Sequence, residues 1–138
     1  METLDCQRLT ISTRGAGFYE ITNRVVPLLQ GSGVATLFIR HSSASLLIQE
    51  NADPDVQVDL LGFLKRLAPH ADHPQMNWLT HRIEGPDDMP AHIKAALLPT
   101  SLQIPVIDGE MMLGRWQGIY LVEHRDSPHQ REVVVMLR

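Results

Sequence analysis

The stretch HRIEGPDDMPAHIK, residues 81–94, gathers two histidines, three carboxylates, two prolines and a glycine. Folding alone gives little reason for so much polarity in one short segment. DDMPAHIKAALL reads as a helix start, with an aspartate cap and Pro90 in the first turn. A helix start presents unpaired backbone N–H groups and a partial positive charge, which suits a phosphate or a carboxylate, and His92 would project from its first turn. Capping accounts for one of Asp87 and Asp88; Glu84, His81 and the other aspartate are left over. Imidazole with carboxylate suits zinc or manganese, whereas carboxylate with substrate phosphate suits magnesium. The spacing is not the HExxH pair, so a divalent metal (Mg or Zn) on His81, Asp87, Asp88 and His92 requires tertiary assembly. Plain surface polarity is the competing account.

Two more segments could carry chemistry. In RHSSASLLIQE, residues 40–50, a strand would put His41, Ser43 and Ser45 on one face and Arg40, Ser42 and Ala44 on the other. A lone strand histidine is more often a hydrogen-bonded core or rim residue than a catalyst. In LGRWQGIYLVEHR, Gly114 and Gly118 bracket a tight bend, which implies close approach of the backbone to a neighbour. Trp116 there is either a core plug or a stacking platform, the plug being the commoner use. Alternation then places Glu123 and Arg125 on one strand face and His124 on the other. The Glu123/Arg125 pair reads equally as a surface ion pair worth less than about 1 kcal/mol.

The elements that must position these groups follow from periodicity. Residues 3–13 alternate as an opening strand, and Phe18–Thr22 forms a short second one. Thr22 or Asn23 caps a helix running to Leu29, with Pro27 in its first turn. Val34–Ile39 is a strand that continues through RHSSASLLIQE. A helix follows, with Asp53 as N-cap, Pro54 at the first position and Val56, Leu60, Leu61, Leu64 and Leu67 as its apolar stripe. Residues 70–80 are a loop containing one buried aromatic, Trp78. The helix of the opening segment has Ile93, Ala96 and Leu97 at core spacing. Beyond it lie three or four strands, separated by DG, GRWQG and DSPHQ turns. Strands clustered at the C-terminal end predict an α+β fold, a largely antiparallel sheet or sandwich with about three helices.

A chain of 138 residues with 43% hydrophobic content is what a single domain over 1–138 needs to bury a core. A formal charge of −4 provides no field to gather nucleic acid or anionic membrane. The single cysteine, Cys6, excludes an intrachain disulfide and a thiolate metal cluster. METLDCQRLTIST has neither the basic start nor the apolar run of a secretory signal, and no segment has the length of a membrane span. A cytoplasmic location is expected.

RHSSASLLIQENADPDV, HRIEGPDDMPAHIKAALL and LGRWQGIYLVEHR, in this order over nearly the whole chain, resemble the signature blocks of the YjbQ-like family, described as secondary thiamine-phosphate synthases. HSSAS keeps the family's histidine and hydroxyl-rich pattern, with serine where other members often carry threonine. The resemblance implies a small α+β homotrimer with a cleft near subunit interfaces. It also implies a phosphorylated small-molecule substrate and a weak activity joining a hydroxymethylpyrimidine diphosphate to a thiazole phosphate, releasing pyrophosphate. In that reaction charge builds on the leaving diphosphate. Asp87, Asp88 or Glu84 would hold a metal there, and His92 and Arg125 would each bind a phosphate. His41 and Ser43 would orient the substrate, Trp116 would stack on the pyrimidine, and Gln117 and Glu123 would line the site. A trimer that only binds metal and phosphate ligands, and a metal-dependent hydrolase, are the alternative readings.

Overall fold

Buried and exposed residues alternate along β1 (Cys6–Thr13), so Leu9, Ile11 and Thr13 face inward. The computed structural model describes residues 6–138, so the start of the expected opening strand, residues 3–5, lies outside it. β1 pairs with β8 (His129–Leu137), whose other edge carries β3 (Gly33–Ile39). β5 (Ser101–Ile107) and the two-residue β6 (Glu110–Met111) complete a five-stranded sheet in the order β1-β8-β3-β5-β6. A second sheet has the order β2-β7-β4, from Gly17–Glu20, Gln117–Glu123 and Ala44–Glu50. Every pairing is antiparallel. The DG turn joins β5 to β6 with positive φ at both Asp108 and Gly109, as a type I′ hairpin requires.

The main core lies between the two sheets. Leu9, Leu37, Ile39, Leu46, Ile119, Leu121, Val133 and Val135 belong to one buried cluster. β7 is buried on both faces, because Tyr120 and Val122 point away from that core and pack with Leu64 of α2 (Pro54–Leu67). The layers are therefore sheet, sheet and helix, in an α+β domain with the three helices and mostly antiparallel sheets that the strand pattern predicted. No helix among the described residues is long and apolar enough to cross a membrane.

Local expectations held where side-chain chemistry forces the backbone. Asp53 caps α2 by accepting from Asp55 N–H at 2.9 Å, with Pro54 in the first turn. Other expectations are corrected. The first helix is one turn, α1 (Thr22–Val25), followed by a 3₁₀ turn over Val26–Leu28. Neither Thr22 nor Asn23 caps it, because the Thr22 hydroxyl is spent between Glu20 and Ile119 N–H. The strand expected to run from 34 through 50 breaks at Arg40–Ser43, where the chain leaves the five-stranded sheet for the three-stranded one. Trp78 is exposed rather than buried, its indole N–H on Gln75 O. In α3 (Asp88–Leu97) the buried face is Pro90, Ala91, Lys94 and Ala95, while Leu97 is exposed. Small side chains at i and i+4 let this helix lie close against β4.

Leu121 is fully buried at the centre of the inter-sheet core. We expect Leu121→Ala to cost about 2–5 kcal/mol in urea unfolding. A loss below about 1 kcal/mol would mean that the two sheets are not held by this layer.

Candidate functional site

Three side chains from two elements converge at the start of α3. Asp88 is the first residue of the helix, His92 lies one turn on, and His81 comes from the preceding loop. Nε2 of His81 is 2.8 Å and Nε2 of His92 is 3.1 Å from the same Oδ2 of Asp88. The two imidazoles meet edge to face at 5.8 Å, and the three ligand atoms lie within 4.8 Å of one another. Arg82 fixes the loop that delivers His81, donating to the carbonyls of Leu79, Ala71 and Met76 at 2.9–3.0 Å. Ala71, Met76 and Leu79 also form a small apolar cluster against Met89 and Ile93 of α3.

The His92 ring is fixed by its second nitrogen. Nδ1 lies 2.9 Å from Ser42 O, and a carbonyl only accepts, so Nδ1 carries the proton. A neutral His92 then points the Nε2 lone pair at a carboxylate oxygen. That arrangement is favourable only with a cation, proton or metal, between them. Asp88 is held from its other side, its Oδ1 paired with Arg125 Nη1 at 2.8 Å. Burial alone would raise the Asp88 pKa, but the bonds from His81 and the charges of His92 and Arg125 outweigh it and hold it below the ordinary value.

Asp87 plays a different part from the one expected. Its side chain caps no N–H of α3 and does not join the three-residue group. Oδ2 instead accepts from Arg125 Nε and from Asp126 N–H, both at 2.9 Å. Its expected place among the metal ligands is thereby corrected: the guanidinium occupies it. Burial pushes its pKa up, and Arg125 with the Asp126 amide more than reverses this. Arg125, expected on a substrate phosphate, is committed to Asp87, Asp88 and the Glu84 carbonyl. Glu84 is exposed, and its contribution to the cluster is that carbonyl.

A second polar network lies inside the sandwich. Glu123 is fully buried, which corrects both its expected exposure beside Arg125 and its expected contact with substrate. Its partner is Arg131, whose Nε donates to Oε1 at 2.8 Å. Thr13 Oγ1 donates to the same oxygen at 2.6 Å. Burial raises the Glu123 pKa, and Arg131 and Thr13 bring it back below the ordinary value. Ser43 Oγ and O accept from Arg131 Nη2 at 3.0 and 3.3 Å. His41 Nε2 accepts from Glu132 N–H at 2.8 Å, and Arg131 Nη1 lies 3.4 Å from Nδ1. Burial, then Arg131, lowers its pKa. The chain crossing from 40 to 43 thus touches both groups, His41 and Ser43 facing Arg131 while Ser42 holds His92. Arg131 went unnoticed in the sequence, although it shares the inward parity of Val133 and Val135.

At the 114–118 bend, Gly118 allows the close approach expected of it, since a Cβ there would lie 2.5 Å from Glu20 Oε2. Gln117, expected on substrate, closes the bend by accepting from Gly114 N–H at 2.7 Å. Trp116 is no core plug: it is 55% exposed, with the Arg115 guanidinium 4.9 Å from its ring centroid.

Residues 7–138 match the family model described as UPF0047 protein YjbQ-like. The chain belongs to this family. A UPF0047 protein of Synechocystis is 48% identical over 131 residues, covering 92% of this chain and 86% of its own. The UPF0047 protein YjbQ of Salmonella typhimurium is 39% identical over 136 residues, covering 94% of each chain. Among solved structures, a conserved hypothetical protein of Thermus thermophilus superposes with a TM-score of 0.84 at 40% identity, covering 96% of this chain and 99% of that one. The match spans the His–Asp–His group and every strand and helix after the first residue of β1.

His124 is buried and bonded through Nε2 to Ser45 Oγ at 2.9 Å. Burial, reinforced by Lys94, pushes its pKa down to about 4. Unfolding frees it to bind a proton near its ordinary value of about 6.5, so the unfolded state gains protons first as the pH falls. Stability should decline between those two values by up to about 3 kcal/mol. Urea unfolding of wild type and His124→Gln from pH 7 to pH 4 checks this; equal slopes in the two would refute it.

Proposed function

We propose that this UPF0047 protein is a metal-dependent enzyme acting on a phosphorylated small molecule, with zinc favoured over magnesium. One observation carries the reading: His92, its proton held on Nδ1 by Ser42 O, turns its Nε2 lone pair on the Asp88 oxygen that His81 Nε2 also meets, which suits a cation at that point. His81, Asp88 and His92 would hold the metal. Their donor set, two nitrogens and one oxygen, suits zinc, whereas magnesium prefers oxygen alone. Three protein ligands also leave room for a substrate oxygen, as catalytic zinc sites do. When bound, such a metal supplies a Lewis acid for a phosphate oxygen.

The chain's own residues supply the preorganisation. Ser42 O fixes the His92 tautomer, and Arg125 holds Asp88 Oδ1 so that Oδ2 faces the histidines. Asp87 keeps Arg125 in place. The reaction implied by the YjbQ resemblance, transfer of hydroxymethylpyrimidine from its diphosphate to a thiazole phosphate, breaks a bond to a diphosphate leaving group. Hydrolysis is the second reading, and the nitrogen-rich donor set favours it, since such sites make water acidic near neutral pH. A homotrimer with sites near subunit interfaces is what the YjbQ resemblance implies for this chain.

We expect one zinc per chain by competition with a chromogenic chelator, weakened at least about 100-fold in Asp88→Asn and His92→Ala. Zinc-loaded wild type, purified from a host lacking its own synthase, should release pyrophosphate and form thiamine phosphate from the two substrates. Release of inorganic phosphate from substrate without coupling would support the hydrolase. Tight metal binding with no turnover on either assay would leave a metal- and phosphate-binding trimer, and unchanged zinc affinity in both variants would defeat the proposal.

A further inference from the structure

Between residues of α2 and α3 lies a cavity of about 540 Å³ lined by Lys65, Ala68, Pro69, His70, His73 and Lys94, among others. None of His81, Asp88 and His92 lines it. Its volume falls in the range of small-molecule sites. Lys94 is the unusual member. It retains only 8% of its exposed area, yet its ammonium makes no hydrogen bond or ion pair among the described residues. Because no fully enclosed side-chain nitrogen lacks a partner, this ammonium must meet the open space that its side chain lines.

Asp72 and Asp126 share the wall with it, but no carboxylate among the described residues forms an ion pair with its ammonium. Asp126, on the cavity wall, gives Oδ2 to His70 Nε2 at 2.7 Å, and Asp87 is taken by Arg125. Lys65 stands on the same wall as Lys94. Ala16, Ala68 and Pro69 add apolar surface for an uncharged body. A lysine whose stem is nearly buried and whose ammonium opens on a cavity beside a second lysine, with no ion pair of its own, offers an anion in that cavity a pre-positioned counter-charge.

We infer that this cavity is a binding site for a small organic anion whose charged group meets Lys94. The inference does not rest on the metal reading, because its residues are separate from the His–Asp–His group. A phosphate ester and a carboxylate share the required chemistry, and phenyl phosphate and benzoate tell them apart.

Both probes are titrated calorimetrically into full-length protein stripped with a chelator, so that bound metal contributes nothing. At least one should bind at millimolar concentration or below. Lys94→Met should weaken that binding at least tenfold, and Lys65→Ala by a smaller factor. Phenyl phosphate alone binding identifies a phosphate site, and benzoate alone a carboxylate site. Binding of neither, or equal affinity in Lys94→Met, overturns the inference. Should Lys94→Met fail to fold, the His70 and His73 imidazole NMR signals of wild type decide: a saturable shift supports the site, and no shift overturns it.

Discussion

The buried carboxylate of Glu123 is the constraint on which the rest depends. Removing a carboxylate and a guanidinium from water costs several kcal/mol per ion, and their attraction offsets that only when the remaining lone pairs and protons are also satisfied. Here they are. Oε1 accepts from Thr13 and Arg131, and Oε2 accepts from Arg131 and from the backbone N–H groups of His124 and Arg125. One side chain therefore ties the end of β1, the end of β7, the start of β8 and the turn that leaves β7. Losing either ion would strand the other in the core, so the arrangement specifies a single packing more than it adds stability.

That turn is what reaches the candidate site. With its N–H on Glu123, Arg125 is launched toward α3, where its guanidinium bridges Asp87 and Asp88. The Arg131 end of the same network contacts Ser43, next to the carbonyl that fixes His92. Two independent paths from the buried pair thus converge on the His–Asp–His group. A donor set that must hold its geometry before a cation arrives needs support of this kind, because each floppy ligand would otherwise have to be ordered on binding.

How much of this could be read from the sequence depended on whether the signal was local. Asp53-Pro54 capping and the Asp108-Gly109 hairpin are decided by neighbouring residues, and both were legible. His81, Asp88 and His92 were legible as a polar concentration, but nothing in their spacing separated Asp88 from Asp87. The difference is that Arg125, 38 residues away from Asp87, claims one carboxylate fully and the other by one oxygen. Period two also misled: it assigned His41, Ser43 and Ser45 to one continuous strand, whereas the chain changes sheets at Arg40–Ser43. Trp78 was read as buried and Trp116 as either a plug or a stacking platform, and each satisfies its polar or π surface locally while staying exposed. Arg131 and Lys94 are charges at inward positions, which pattern reading discounts as errors of phase.

The overall charge of −4 makes these placements consequential. A net-negative chain offers an approaching anion no long-range attraction, and at physiological ionic strength fields fade over about 8 Å. Recognition of a phosphate or carboxylate must come from individual cations at short range. Arg125 and Arg131 are spent on carboxylates, and Arg40 pairs with Glu132 at the surface. Lys94 is held in the wall of a cavity without such a commitment, one helical face of α3 carrying it while another carries His92. The same helix thereby carries one imidazole of the His–Asp–His group and the ammonium that opens on the cavity. Asp87 lies between the two, bonded to the Asp126 backbone on the cavity wall and to the guanidinium that holds Asp88.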